Sequence, residues 1–260
     1  MADYTADGTL TLWTSTQSAI SHRMILARYF ELPMNRVRLI APAMGGGFGG
    51  KVDAGFQPVV ACLAMRTGRP VKLRFTRRET MISTSTRTAA RIRVKTGIDR
   101  EGHILAQDID VLTNSGAYAT CGPVVIGAMS GKVFKVLKTP NLRYHGMAVY
   151  TNTPNGGAMR GYGSPQAFTA LGTQYNRIAN DLKMDLTDFF AANLIEPDGV
   201  EQIHQTVIGN SRPLDCLSRG KALFGWEEKP LREERGRYLY GKGMNVGCHG
   251  NGVFGSFRDM

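Results

Sequence analysis

Five glycines in six positions make Met44-Gly45-Gly46-Gly47-Phe48-Gly49-Gly50-Lys51 the stretch with the clearest chemical capacity. Without Cβ atoms the backbone can take positive φ and approach another group closely. The run sits between an apolar stretch, Val37 to Pro42, and an apolar segment, Phe56 to Met65. That order reads as strand, glycine turn and helix. Successive free N–H groups in such a turn, beside a helix N-terminus, suit an anionic ligand. A surface loop or a tight packing turn fits the same glycine content. Phe48 between glycines is expected to be buried, with the turn pressed against something flat or large. A phosphate-binding P-loop is excluded, because its motif needs Ser or Thr where Val52 stands. A dinucleotide GxGxxG motif also lacks its acidic residue at the right distance.

A second cluster, Asn152 to Gln166, again places glycines ahead of a helix start. Ser164 is expected to cap that helix and Pro165 to occupy its first position. Cys62, Cys121, Cys216 and Cys248 are widely spaced with no CxxC. Zinc or Fe–S ligation within the chain is therefore not expected, and reduced thiols in a cytoplasm are. The 260 residues suffice for one large or two small domains. No apolar run reaches the roughly 18 residues of a transmembrane helix. The N-terminus lacks the basic and apolar regions of a secretory signal. The net charge of +11 could meet an acidic partner subunit, an anionic cofactor or nucleic acid. Its carriers are scattered (Arg66, Arg69, Lys72, Arg74, Arg77, Arg78, Arg87, Arg91, Arg93, Lys95), with no basic run interleaved with aromatics. Several alternate as on a solvated sheet face, so nucleic acid is the lesser reading.

The elements that must position these clusters follow from periodicity. Strands are expected over 9–15, 35–40, 71–76, 90–99, 104–113 and 143–150, with a hairpin turn at 100–103. Helices are expected over 19–32 (capped by Ser18), 56–66, 124–132, 165–183, 186–194 and 214–224. Residues 226–238 are charged and read as a linker. Residues 240–257, rich in glycine, read as a strand-and-turn element that needs neighbours. The division expected is a domain over 1–225, a linker over 226–239, and the truncated start of a second domain over 240–260. The class is α+β, with mixed sheets and flanking helices.

Taken together, Gly45-Gly46-Gly47-Phe48-Gly49-Gly50-Lys51 and Arg160-Gly161-Tyr162-Gly163-Ser164-Pro165-Gln166 resemble the molybdenum-cofactor-binding subunit of the xanthine dehydrogenase and aldehyde oxidase family. Ser15-Thr16-Gln17, Thr67-Gly68-Arg69-Pro70-Val71-Lys72, Gly116-Ala117-Tyr118 and Thr139-Pro140-Asn141 agree in order and spacing. The resemblance covers Gly8 to Gly199 well and the rest weakly. It implies molybdenum held by a pterin dithiolene, with oxo, sulfido and hydroxo ligands and no side chain as a direct metal ligand. A dinucleotide form of the pterin, such as the cytosine dinucleotide, is expected. The Gln17 amide would bond the apical oxo ligand. The turn of Gly46, Gly47, Phe48 and Gly49 would bring the Phe48 N–H to a molybdenum ligand. The backbone of Arg160, beside Gly161, would do likewise, and Tyr162 would stack on a flat substrate. Packing at the helix start fits Tyr162, a cap or surface amide fits Gln17, and a solvated side chain fits Arg160 equally.

The departures from the family also carry information. Xanthine-oxidising members have Glu at the position of Val52 and Arg at the position of Ala128. Apolar residues there leave purine edges unpaired. A less polar substrate is expected, an aldehyde or an aromatic N-heterocycle, in a pocket lined by Val52, Cys121, Val124, Ala128 and Tyr162. Gly161, in place of Cys, argues against the carbon-monoxide-oxidising branch. The family's general base, a Glu, lies further downstream, and none of Glu79, Glu101 or Glu196 sits in a matching motif. The chain therefore reads as a fragment, inactive alone, of an enzyme whose Fe–S and FAD centres reside in partner subunits or missing domains. The competing readings are a folded assembly module without metal and, as the lesser one, a basic nucleic-acid-binding protein.

Overall fold

The computed structural model describes residues 1–201 and 205–249. They cluster into two compact units, each built from three separated segments. The first comprises Met1–Ala89, Asn114–Val125 and Ala148–Arg160; the second comprises Ala90–Thr113, Ile126–Met147 and Gly161 onwards.

The first unit starts with a short strand, β1 (Ala2–Tyr4), antiparallel to β2 (Leu10–Trp13). Leu10 and Leu12 face the core while Thr11 and Trp13 alternate away from it. A helix, α1 (Ala19–Tyr29), crosses over to β3 (Val37–Ile40), which is parallel to β2. The next helix, α2 (Gln57–Thr67), buries Val60, Ala61 and Ala64 against Leu10, Leu12, Leu26 and Val37. Ser18 precedes α1 but makes no side-chain cap, and its N–H donates to the Thr16 hydroxyl (2.9 Å).

Two expectations fail after α2. Only Val71 of the expected 71–76 strand pairs, exchanging two 2.8 Å backbone bonds with Ala2. Residues 77–83 instead form a helix, α3 (Arg77–Ser83), that carries two of the arginines assigned to a sheet face. The cause is a capping box. Thr76 Oγ1 accepts the Glu79 N–H (3.2 Å) and Glu79 Oε2 accepts the Thr76 N–H (2.7 Å).

A long hairpin follows β4 (Thr86–Arg87): β5 (Ala90–Ile98) is antiparallel to β6 (Ile104–Gly116). Arg91, Arg93 and Lys95 alternate outward on β5, and Arg93 pairs with Asp110 across the ladder at 2.8 Å. After α4 (Gly122–Val133) comes β7 (Asn141–Tyr150), which extends that sheet in the order β5-β6-β7. The unit boundaries fall inside β6, α4 and β7. A two-residue strand, β8 (Gly156–Gly157), pairs in parallel with β4.

The second unit is completed by helices α5 (Ser164–Asp181), α6 (Leu186–Asn193) and α7 (Pro213–Phe224). On α5, Phe168, Leu171, Tyr175 and Ile178 recur at three and four and are buried. Tyr175 stacks with Phe189 and Phe190 of α6 at 5.6 and 5.9 Å. Ser164 is not the cap of α5. Gly163 holds that position, and Ser164 Oγ donates to Cys248 O (3.2 Å). The segment read as a linker is structured. Trp226 is buried, and β9 (Arg232–Arg235) and β10 (Tyr238–Gly241) form an antiparallel hairpin. Of the strand-and-turn element expected over 240–257, residues 242–249 have no regular secondary structure, and 250–257 lie outside the described residues. No helix among the described residues is long and apolar enough to cross a membrane.

Candidate functional site

The loop after β2 holds the first glycine cluster in place. The Gln17 N–H donates to Lys51 O (3.0 Å), and the Gly49 N–H donates to Gln17 Oε1 (2.9 Å). A backbone N–H needs an acceptor, so this bond fixes which end of the amide carries oxygen. The Gln17 Nε2 hydrogens then have no protein partner among the described residues. Gly47 lies against the same amide, where an added Cβ would sit 2.3 Å from Gln17 Oε1. Gly49, at φ +97°, lies against the second cluster, where a Cβ would sit 2.5 Å from the Ala158 carbonyl. The two clusters thus meet backbone to backbone within the first unit.

Phe48 is not buried, contrary to expectation: it is 60% exposed. Its backbone is left-handed (φ +51°), which turns the ring back over Gly46 and beside the Arg160 guanidinium, 5.8 Å from the ring centroid. A non-glycine residue held there costs about 1–3 kcal/mol, and such strain concentrates at ligand sites. The turn also does not abut a helix N-terminus, since α2 begins only at Gln57.

Arg160 closes the cluster from the other side. Its carbonyl accepts from Arg87 Nη2 (2.7 Å), just beyond the β4–β8 pairing. The N–H groups of Phe48 and Arg160 make no hydrogen bond among the described residues. With Gln17 Nε2, three donor groups are left for an external acceptor among the described residues. Such a set suits an oxygen- or sulfur-rich anionic group.

The expected pocket residues divide between the units. Val52, partly buried, has its carbonyl bonded by His22 Nε2 at 2.7 Å. A carbonyl only accepts, so His22 is the Nε2–H tautomer, and its buried Nδ1 has no partner. Cys121 is half-buried and its thiol donates to Asp53 Oδ1 (3.3 Å), while Ser85 Oγ donates to Asp53 Oδ2 (3.3 Å). Sequence reasoning missed both His22 and Asp53. The acid beside Val52, in an otherwise apolar stretch, was the available signal. Val124 is exposed in the first unit. Ala128, Gly161 and Tyr162 belong to the second unit, where Ala128 is buried. Gly161, Tyr162 and Gly163 are three successive left-handed residues, at φ +91°, +39° and +94°. Each cluster therefore places a left-handed aromatic between two glycines. Among the described residues no group of three His, Cys, Asp or Glu side chains could hold a metal ion.

Comparison with known proteins identifies the family. The profile of the molybdopterin cofactor-binding domain matches residues 1–194. A probable xanthine dehydrogenase subunit of Bacillus subtilis (strain 168) is 33% identical over 250 residues, covering 95% of this chain and 33% of that relative. The nicotinate dehydrogenase large molybdopterin subunit of Eubacterium barkeri is 37% identical over 190 residues, covering 73% of this chain and 45% of the relative. The solved aldehyde oxidoreductase from Desulfovibrio gigas superposes with a TM-score of 0.76 at 27% identity, covering 86% of this chain and 25% of that one. The chain spans a third of the length of the Bacillus relative and less than half of the Eubacterium one.

Proposed function

Because this chain belongs to the family of molybdopterin cofactor-binding domains, we propose that it forms the first cofactor-binding portion of a molybdenum hydroxylase subunit. The intact enzyme hydroxylates a carbon of an aldehyde or aromatic N-heterocycle with oxygen from water. The observation that supports this reading is the set of donors on Gln17, Phe48 and Arg160 that have no partner among the described residues, beside glycines whose Cβ atoms would collide with Gln17 and Ala158.

In this reading the Gln17 amide and the backbone N–H groups of Phe48 and Arg160 hold the cofactor, and Gly46, Gly47, Gly49 and Gly161 give it room. The bound molybdenum-pterin group supplies oxygen drawn from water and accepts two electrons. The Gly49 N–H keeps the Gln17 amide turned so that only donors remain for it. Val52, Cys121 and Val124 of the first unit would each face substrate; Ala128 and Tyr162 of the second are assigned the same task, with Tyr162 stacking on a flat substrate. Apolar Val52 and Ala128 disfavour purines, because unpaired polar edges are costly. The pterin would carry a dinucleotide such as the cytosine dinucleotide, and Fe–S and FAD centres in partner subunits or missing domains would take up its electrons. Among the described residues Cys62, Cys121, Cys216 and Cys248 form no disulfide, and the same reading places the protein in a cytoplasm.

Elemental analysis and the fluorescence of oxidised pterin test this on protein matured in cells that make the cofactor. Near-stoichiometric molybdenum and pterin are expected. Absence of both would overturn the reading in favour of a folded assembly module without metal.

A further inference from the structure

Lys132 stands in the last turn of α4 with its side chain almost wholly buried, 1% exposed. Its Nζ donates to Gly161 O (3.0 Å) and to Tyr162 O (2.5 Å), and lies 5.7 Å from the Tyr162 ring centroid. Gly161 O also accepts the Ser164 N–H at 2.9 Å, in the turn that leads into α5. The ammonium therefore binds the carbonyls of two of the three successive left-handed residues, one of which carries a side chain. A buried cation is costly unless it is well bonded, and charge-assisted bonds are the strong ones. Burial holds the Lys132 pKa below its ordinary value. The Lys132 carbonyl in turn accepts the Cys248 thiol at 3.1 Å, fixing the residue from its other end.

We infer that Lys132 is a positioning residue: its ammonium clamps the Gly161 and Tyr162 carbonyls, sets the left-handed turn, and so fixes the Tyr162 ring that selects flat substrates. This rests on the proposed role of Tyr162. Its chemical content is distinct: a cation inside the second unit acts on substrate choice through the backbone.

Two readouts on the full protein with its partner subunits test it. Hydrogen exchange of residues 158–166 in cofactor-depleted protein is independent of turnover. Lys132→Met is expected to speed exchange there by about tenfold or more, since two charge-assisted bonds are lost. Lys132→Gln, shorter and uncharged, is expected to fall between. In loaded enzyme, Lys132→Met is expected to raise KM for an aromatic aldehyde about tenfold, with kcat within about twofold and KM for acetaldehyde unchanged. Wild-type exchange in Lys132→Met overturns the inference, as does an equal rise in KM for both aldehydes. Should Lys132→Met not fold, Lys132→Gln decides: raised exchange supports the clamp, and wild-type exchange removes it. A wild-type protein without molybdenum would sink the cofactor reading while leaving the exchange test of Lys132 intact.

Discussion

At the scale of single residues, Gly47 and Gly49 look alike in the sequence and differ in what faces them. A Cβ on Gly47 would meet the end of the exposed Gln17 side chain, which can swing away. Gly47→Ala is therefore expected to change stability by less than about 1 kcal/mol while lowering molybdenum occupancy about tenfold. A Cβ on Gly49 would meet the Ala158 backbone, which cannot swing, at a φ that disfavours side chains. Gly49→Ala is expected to cost about 1–3 kcal/mol of folding stability, read as a lower denaturant midpoint. If both variants lost stability and cofactor alike, the distinction drawn between the two glycines would be wrong. The glycine run and its close approach were legible from composition. Which glycine faces a side chain and which a backbone was not, because that depends on Gln17 and Ala158, brought in from distant parts of the chain. Phe48 was misread for a related reason. Its ring is large and apolar, but its left-handed backbone turns it back over Gly46 and beside Arg160 rather than into the core.

At the scale of elements, α5 was legible because Phe168, Leu171, Tyr175 and Ile178 carry a helical period. In contrast, α3 buries no residue and has no such stripe. Its signal was the cap, Thr76-Arg77-Arg78-Glu79, and the basic residues drew attention from it. A second cap yields a prediction. Asp185 opens α6 by accepting the Thr187 N–H (2.7 Å) and also accepts from the indole of Trp226 (2.9 Å). Burial pushes its carboxyl pKa up, but the bonds from Thr187 and Trp226 and the Lys221 charge outweigh that, leaving it below the ordinary value. Asp185→Ala is expected to cost about 1 kcal/mol near neutral pH. A carboxylate with a depressed folded-state pKa stabilises above its unfolded value, about 4, and loses that contribution as pH falls through the lower folded value. The gap between wild type and Asp185→Ala in urea unfolding should therefore shrink below about pH 4. A constant gap at pH 3 and pH 7 would assign the cost to packing alone.

At the scale of the whole molecule, a cofactor that binds only the folded form must stabilise it. Holoprotein is expected to exceed cofactor-depleted protein by about 3–4 kcal/mol when the cofactor stands at a hundred to a thousand times its Kd. Calorimetry of the two forms measures this, and coincident melting would show that the chain does not use the cofactor to hold its fold. The interleaving of the two units was not legible in the sequence. Composition and periodicity report neighbours along the chain, whereas the boundaries inside β6, α4 and β7 are set by which distant segments pack together. The same interleaving bears on heredity. Each unit is encoded in three separated stretches of gene, so a single crossover cannot deliver either one intact to a new host sequence. Shuffling between related genes would have to exchange both units together, whereas point substitutions could still alter one unit at a time.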